Sequence, residues 1–375
     1  MAQTQGHVVV APDKFKGTLT APQVAAHVAA GLRRARPDVR IVVLPVADGG
    51  DGTVESAVSA GYHGVTAPAH GPTGQPLTAS IAIRGTTAIV EAAEACGLRR
   101  LSGGAPAPLD ATSQGVGELL CAAATRGARE IVLGLGGVAT TDGGAGMVGA
   151  LGARLLRRDG VQIPPGGAAL RSLERLDLAN LRKVGAAVTV ACDVDNPLLG
   201  PEGAAAVYAP QKGASPRDVA ILEEGLTRWA DVAERTLGHS YRDLPGAGAA
   251  GGLGFAALAF LGASMRPGIG LLLDRVGFGG HLSGARLVIT GEGSLDAQTL
   301  RGKAPAGVAR AASAAGVPVV AVAGVCTLGG ADLRRIGISA AYTLTSIQPD
   351  LRRCMAEPGP LLENLAERLA REWLP

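Results

Sequence analysis

Short apolar runs alternate with amphipathic stretches along nearly the whole chain, and this alternation restricts it to an α/β fold with a largely parallel sheet covered on both faces. The run HVVVA (7–11) leads into TAPQVAAHVAAGLRR, where Thr20 can cap a helix, Pro22 fits its first turn, and Val24, Val28 and Leu32 recur every fourth residue. IVVLPV (41–46) reads as a second buried strand. The same order returns near the carboxyl terminus in RLVIT (286–290), a polar glycine loop, GVARAASAAG (307–316) and VPVVAVAG (317–324). Apolar strands at both ends can complete one sheet, so residues 1–68 and 285–375 are expected to form a discontinuous Rossmann-like domain, with 69–284 as an inserted α/β domain. The insert carries EIVLGLGG (130–137), a helical run GMVGALGARLL (146–156), AAVTVACDVDNP (186–197), and an amphipathic helix marked by Val219, Leu222, Leu226, Trp229 and Ala233.

Length and charge exclude several classes. A chain of 375 residues, 47% hydrophobic, has material for two ordinary cores. Its net charge of +3 comes without a basic block or interleaved aromatics, which argues against a nucleic-acid partner. Residues 244–265 carry no charge, but their glycines and alanines bury little area, so a glycine loop feeding a buried helix is expected rather than a membrane span. The five cysteines are scattered and lack zinc spacing, as small buried residues in a reducing compartment would be. The start MAQTQGHVVVAPDKFKG has no signal-peptide pattern, so the expected location is the cytoplasm.

Function is concentrated in loops where glycine and acid occur together. LPVADGGDGTVE (44–55) sets Asp48, Asp51 and Glu55 beside Gly49, Gly50 and Gly52; TTDGGAG (140–146), CDVDNP (192–197) and TGEGSLDAQT (290–299) also follow strands. In open α/β sheets ligands bind beyond the carboxyl ends of strands, and glycine lets backbone approach a phosphate closely. Carboxylates there would repel a bare phosphate, but they suit a hydrated Mg²⁺ or a hydroxyl proton. Each loop taken alone also fits capping and turning. Lysine adds a second signal: the chain has only five, and Lys14, Lys16, Lys212 and Lys303 lie in polar loop motifs, where a compact ammonium suits a phosphoryl group. No Walker loop or protein-kinase set is present, and GAGAAG (246–251) matches a dinucleotide pattern without the strand that should precede it.

Taken in order, APDKFKGTLTA, LPVADGGDGTVE, LGGVATTDGGAGMVGALGA, ACDVDNPLLGPEGAAAVYAPQKGAS, GAGAAGGLGFAALAFLGA and LVITGEGSLDAQTLRGKAPAGVA resemble the bacterial glycerate kinase family of the glycerate 2-kinase type. The resemblance covers nearly the whole chain. It implies ATP- and Mg²⁺-dependent phosphorylation of D-glycerate, with 2-phosphoglycerate favoured over 3-phosphoglycerate, and two α/β domains with the active site in the cleft between them. Four positions depart from the family pattern: Val138 stands for a serine, Thr141 for an asparagine, Ser294 for an arginine and Ala297 for a glycine. If the missing arginine neutralises an anion, Arg301 or Lys303 must do so here.

The expected roles follow. Asp193 and Asp296 are the main rivals for the base that takes the hydroxyl proton, with Asp48 third; Lys14 and Lys16 neutralise phosphate or carboxylate, and Lys16 is counted with the catalytic groups. Glu292, with Asp51, is the expected Mg²⁺ ligand. Substrate and phosphate binding is expected of Asp13, Lys14, Lys16, Gly49, Gly50, Asp51, Gly136, Gly137, Thr140, Asp142, Gly143, Asn196, Lys212, Gly291, Thr299 and Lys303. The partners are small molecules, D-glycerate and ATP, with no membrane and with a homodimer left open. Two other readings stand beside this one: a kinase of another short hydroxy acid, and a catalytically weak nucleotide-binding sensor.

Overall fold

The structure is a computed structural model and describes residues 6–375; the first five residues of the start read above as lacking a signal peptide lie outside them. By compactness the chain divides into two units. The first takes in the chain up to Asp48, then Glu55–Gly61 and Ile269–Pro375; the second comprises Gly49–Val54 and Tyr62–Gly268. In chain order, β1 (His7–Pro12) and β2 (Ile41–Val43) begin the first unit. The second then supplies β3 (His63–His70), β4 (Pro76–Arg84), β5 (Thr87–Glu91), β6 (Glu130–Gly134), β7 (Arg154–Leu156), β8 (Arg175–Asp177), β9 (Ala187–Ala191) and β10 (Ser264–Arg266). The chain returns to the first unit with β11 (Ala285–Leu295), β12 (Val319–Cys326) and β13 (Ala340–Thr343).

In the first unit the two ends of the chain build one parallel sheet of order β13-β12-β11-β1-β2. Strand alternation divides its side chains between two cores. Val8 and Val10 pack with Val24, Val28 and Leu32 of the helix Ala21–Ala35 and with Leu362, Leu365 and Leu369 of the helix Pro358–Trp373. Val9 and Ala11 pack on the opposite face with Val308 and with Ile269 and Leu273. Thr20 and Gln23 close a capping box and Pro22 sits in the first turn, as the sequence predicts. The two helices approach so closely that a Cβ at Gly31 would lie 2.2 Å from the Glu363 carbonyl oxygen.

Two strand readings are corrected here. β2 ends at Val43 and is an edge strand with Val43 exposed, not a buried six-residue strand; Leu44 and Val46 still donate to the Val10 and Pro12 carbonyls at 2.9 Å each. Conversely, Gly291–Leu295 is not a loop. It prolongs β11, because pairing with β12 as far as Leu295↔Cys326 satisfies a backbone whose glycines signal a turn.

The second unit is a mixed sheet of order β10-β9-β6-β5-β4-β3, parallel from β10 to β5 and antiparallel from β5 to β3. The β3–β4 pair was absent from the sequence reading, and it assigns residues 63–68 to this sheet. The helical run at 146–156 is also cut short. Its helix is Ala145–Ala150, Gly152 turns at φ +109°, and a Cβ there would lie 2.2 Å from the Asn180 carbonyl oxygen; β7 follows and pairs with β8. The amphipathic helix forms at Pro216–Leu237, capped by Ser215 with Asp218 and closed by Gly238, with Trp229 fully buried. The uncharged stretch forms the buried helix Ala249–Leu261, and among the described residues no helix is long and apolar enough to cross a membrane.

Candidate active site

In the first unit, three adjacent parallel strands deliver carboxylates at or beyond their carboxyl-terminal ends. Asp13 follows β1, Glu292 lies in the extension of β11, and Asp48 comes five residues after β2. The Asp13 N–H donates to the Gly291 carbonyl at 2.8 Å, which ties the two strand ends together. Burial pushes Asp13 up to about 7; Lys14 opposes the rise, while the charges of Asp48 and Glu292 add to it. Burial likewise raises Glu292, whose carboxylate accepts from the Thr299 hydroxyl and lies 3.7 Å from Lys303 Nζ. Asp296 and Asp48 add to that rise. Thr299 works in both directions, since its oxygen also accepts the Asp296 N–H at 3.1 Å. Asp296 takes the Gln298 N–H at 2.8 Å and lies 3.3 Å from the Ser294 hydroxyl.

Of the sequence-predicted residues, Asp13, Lys14, Asp48, Gly291, Glu292, Asp296, Thr299 and Lys303 therefore share one neighbourhood. Lys14 is 3.8 Å from Asp13, and Lys303, one of the two cations named for the Ser294 departure, lies beside Glu292. Lys16 is exposed, and its backbone runs past Gly293. Asp13 pairs with Lys14 and Glu292 with Lys303, and the carboxylates of Asp48 and Asp296 add their charge to this neighbourhood. Among the described residues no group of three or more His, Cys, Asp or Glu is arranged to hold a metal. Mg²⁺ needs only one or two carboxylates when substrate phosphates and water complete its shell, so the residues fit an ion that arrives with a nucleotide.

In the second unit, the segment Gly49–Val54 is clamped by Glu91, which ends β5 and is fully buried. Its carboxylate accepts the Gly52 N–H at 3.2 Å, the Val54 N–H at 3.1 Å and Arg99 Nη2 at 3.2 Å. Arg99 Nε also lies 3.7 Å from Asp51. Burial pushes Glu91 up to about 7; Val54 and Arg99 oppose the rise and Glu94 and Asp51 add to it. The glycines here serve close backbone approach. Gly136 donates to the Gly49 carbonyl at 3.0 Å, a Cβ on Gly136 would lie 2.6 Å from Gly50 Cα, and one on Gly137 would lie 2.6 Å from the Asp51 carboxylate.

Asp142 and Lys212, expected among the phosphate-binding groups, are spent inside the fold. Asp142 is buried and accepts from the Ser113 N–H and hydroxyl, both at 2.8 Å, and from Gly144 and Gly146, both at 3.1 Å. Three of these donors converge on Oδ2 and one reaches Oδ1. Lys212 Nζ donates to the Thr140 carbonyl at 2.6 Å, and burial pushes this lysine down to about 8. Gly143 is pinned by Trp229, whose indole donates to its carbonyl at 2.9 Å. The GAGAAG pattern has the same kind of explanation, since a Cβ on Gly251 would lie 2.0 Å from the Thr140 carbonyl oxygen. Asp193 accepts the Gly268 N–H at 2.9 Å, and Asn196 is held by the Tyr208 hydroxyl at 2.6 Å.

The sequence model of the glycerate kinase family matches residues 8–374. The chain belongs to the glycerate kinase family. It is 41% identical over 368 residues to a glycerate kinase of Bacillus subtilis, covering 97% of this chain and 96% of that one. To a glycerate 2-kinase of Escherichia coli it is 43% identical over 347 residues, 91% of each chain. A solved structure from Salmonella typhimurium LT2, assigned as a glycerate kinase 2, is 40% identical and superposes with a TM-score of 0.83 over 98% of both chains. The molecule is thus a kinase with an α/β fold.

Two residues that sequence reasoning passed over, Glu91 and Arg99, hold the segment Gly49–Val54 in place. A signal for the first was present: in TAIVE a single acid closes an apolar strand, which is where an α/β sheet positions functional groups. Nothing local marks Arg99 among its many fellow arginines.

Proposed function

We propose that this kinase transfers the γ-phosphoryl group of ATP, brought in with Mg²⁺, to the 2-hydroxyl of D-glycerate, giving 2-phosphoglycerate and ADP. The carrying observation is the acidic neighbourhood of buried Asp13 and Glu292 with half-buried Asp48 and Asp296, beside Lys14 and Lys303, at the strand ends of a parallel sheet. In the transfer, the glycerate oxygen bonds to the γ-phosphorus, the bond from that phosphorus to the bridging oxygen of ADP breaks, and the hydroxyl proton passes to a carboxylate. Mg²⁺, when bound, neutralises charge on the phosphates. Glu292 is the residue we assign to it or to its water, held in orientation by Thr299. Asp51, the second expected ligand, lies beside Arg99, so its part is better read as ordering the glycine loop. Lys14, Lys16 and Lys303 balance the anionic groups, and Asp296, Asp193 and Asp48 compete for the proton. All five cysteines are free thiols, in keeping with the cytoplasmic location we assign.

A coupled assay tests the reading. ATP, Mg²⁺ and D-glycerate are supplied with enolase and pyruvate kinase, and phosphoglycerate mutase is left out. Pyruvate formation supports the 2-hydroxyl as acceptor. Pyruvate only after mutase is added would move the acceptor to the 3-hydroxyl, and absence of ADP with glycerate would turn attention to another hydroxy acid. Asp48→Asn, Asp193→Asn and Asp296→Asn, each assayed for kcat and KM, rank the proton acceptors; wild-type rates in all three would sink the scheme.

A further inference from the structure

The segment Gly49–Val54 lies across the carboxyl-terminal ends of three adjacent parallel strands of the second unit, β9, β6 and β5. At the end of β9, a Cβ on Gly49 would lie 3.0 Å from Ala191 Cβ. At the end of β6, a Cβ on Gly134 would lie 2.6 Å from the Gly49 carbonyl oxygen, and the Gly136 N–H donates to that oxygen at 3.0 Å. At the end of β5, Glu91 takes the N–H groups of Gly52 and Val54. The ends of parallel strands are where an α/β sheet receives its ligands. The segment also continues directly from Asp48, whose charge acts on Asp13 and Glu292.

Three carboxylates meet at this crossing, and the guanidinium of Arg99 reaches all of them. It donates to Glu91 at 3.2 Å and to Glu94, and its Nε lies 3.7 Å from Asp51. Glu94 has a second cation in Arg100, at 3.1 Å. Glu91 is fully buried, so loss of Arg99 would leave its charge poorly compensated beside that of Asp51. The main chain fixes Arg99 in this place: the N–H of its neighbour Leu98 donates to the Gly137 carbonyl at 2.9 Å, and a Cβ on Gly137 would lie 2.6 Å from the Asp51 carboxylate. A planar fork can serve several carboxylates at once, which a compact ammonium cannot. The Arg99 side chain is 46% exposed, so replacing it opens no cavity in the core.

We propose that Arg99 is a positioning residue for phosphoryl transfer, which through Glu91 and Asp51 fixes the segment that follows Asp48; the assignment rests on the reaction proposed above. A displacement of about 1 Å near reacting groups can cost on the order of a hundredfold in rate. In the full-length enzyme Arg99→Met should therefore lower kcat about tenfold or more, with the KM values for ATP and D-glycerate each within about twofold of wild type. In a Glu91→Gln background the same substitution should change kcat by less than about twofold, because the partner through which Arg99 acts is already altered.

Wild-type kcat in a folded Arg99→Met would overturn the assignment. Equal losses in the two backgrounds would do so too, since Arg99 would then act apart from Glu91. Either result leaves the kinase reading standing while the wild type turns over ATP with D-glycerate; a wild type that does not would remove that reading, and the role of Arg99 with it. Should Arg99→Met fail to fold, Arg99→Lys serves instead, because it keeps the charge and loses the fork. A lowered kcat with unchanged KM values in Arg99→Lys supports the assignment, and a wild-type kcat overturns it.

Discussion

Glu91 shows how one buried side chain can order a glycine loop. Its two oxygens take N–H groups from both ends of the stretch Gly52–Val54, and Arg99 compensates its charge. Burial still holds its proton up to about 7, well above the ordinary carboxylate range. The sign of the linkage follows: the folded chain keeps a proton that the unfolded chain releases near 4.5, so this group favours folding fully below that pH and loses the advantage as pH rises through about 7. Stability measured as a urea midpoint should therefore fall across that window. In Glu91→Gln the fall should be shallower, with Asp13, Glu292 and Asp142, which burial shifts in the same direction, contributing to what remains. Identical slopes in the two proteins would show that Glu91 is ionised across the whole range.

At the scale of elements, glycine decides how closely loops and helices pack. Two glycines illustrate opposite cases. At Gly136 an added methyl group would lie 2.6 Å from backbone at Gly50, so one loop must move; Gly136→Ala should cost about 1–3 kcal/mol and lower kcat/KM by displacing Gly49–Val54. Gly270 lies inside the helix Gly268–Val276 with nothing within 4 Å of its Cβ position, so Gly270→Ala should stabilise by about 0.5–1 kcal/mol with activity unaltered. Thermal melts together with steady-state rates on both variants check the contrast. The reverse ordering would show that the glycine loop yields freely.

For the whole molecule, the proposed entry of Mg²⁺ with the nucleotide has a practical consequence. EDTA should stop turnover by removing Mg²⁺ from the nucleotide, yet leave the melting temperature of the nucleotide-free enzyme unchanged; a marked fall in that temperature would reveal a structural metal. The fold class, the helix Ala21–Ala35 with its Thr20 cap, the amphipathic stripe of Pro216–Leu237 and the joining of both chain ends in one sheet were legible in the sequence, because periodicity and capping are local and survive in any context. The acidic loops were legible as a set, since glycine beside acid after a strand is a local signature too. Their separate fates were not. Asp48 and Asp142 each precede Gly-Gly, yet the first adds its charge to Asp13 and Glu292 beyond a strand end while the second is enclosed by four donors from Ser113, Gly144 and Gly146. Glu292 was read in a loop and lies in a strand because β12 pairs with it; Lys212 was read as a phosphate-binding loop cation and is buried against Thr140. Composition and spacing determined which residues could do chemistry. Which of them were left facing a ligand was decided by tertiary pairing, because a polar group withdrawn from water must find partners, and those partners lie far away in sequence.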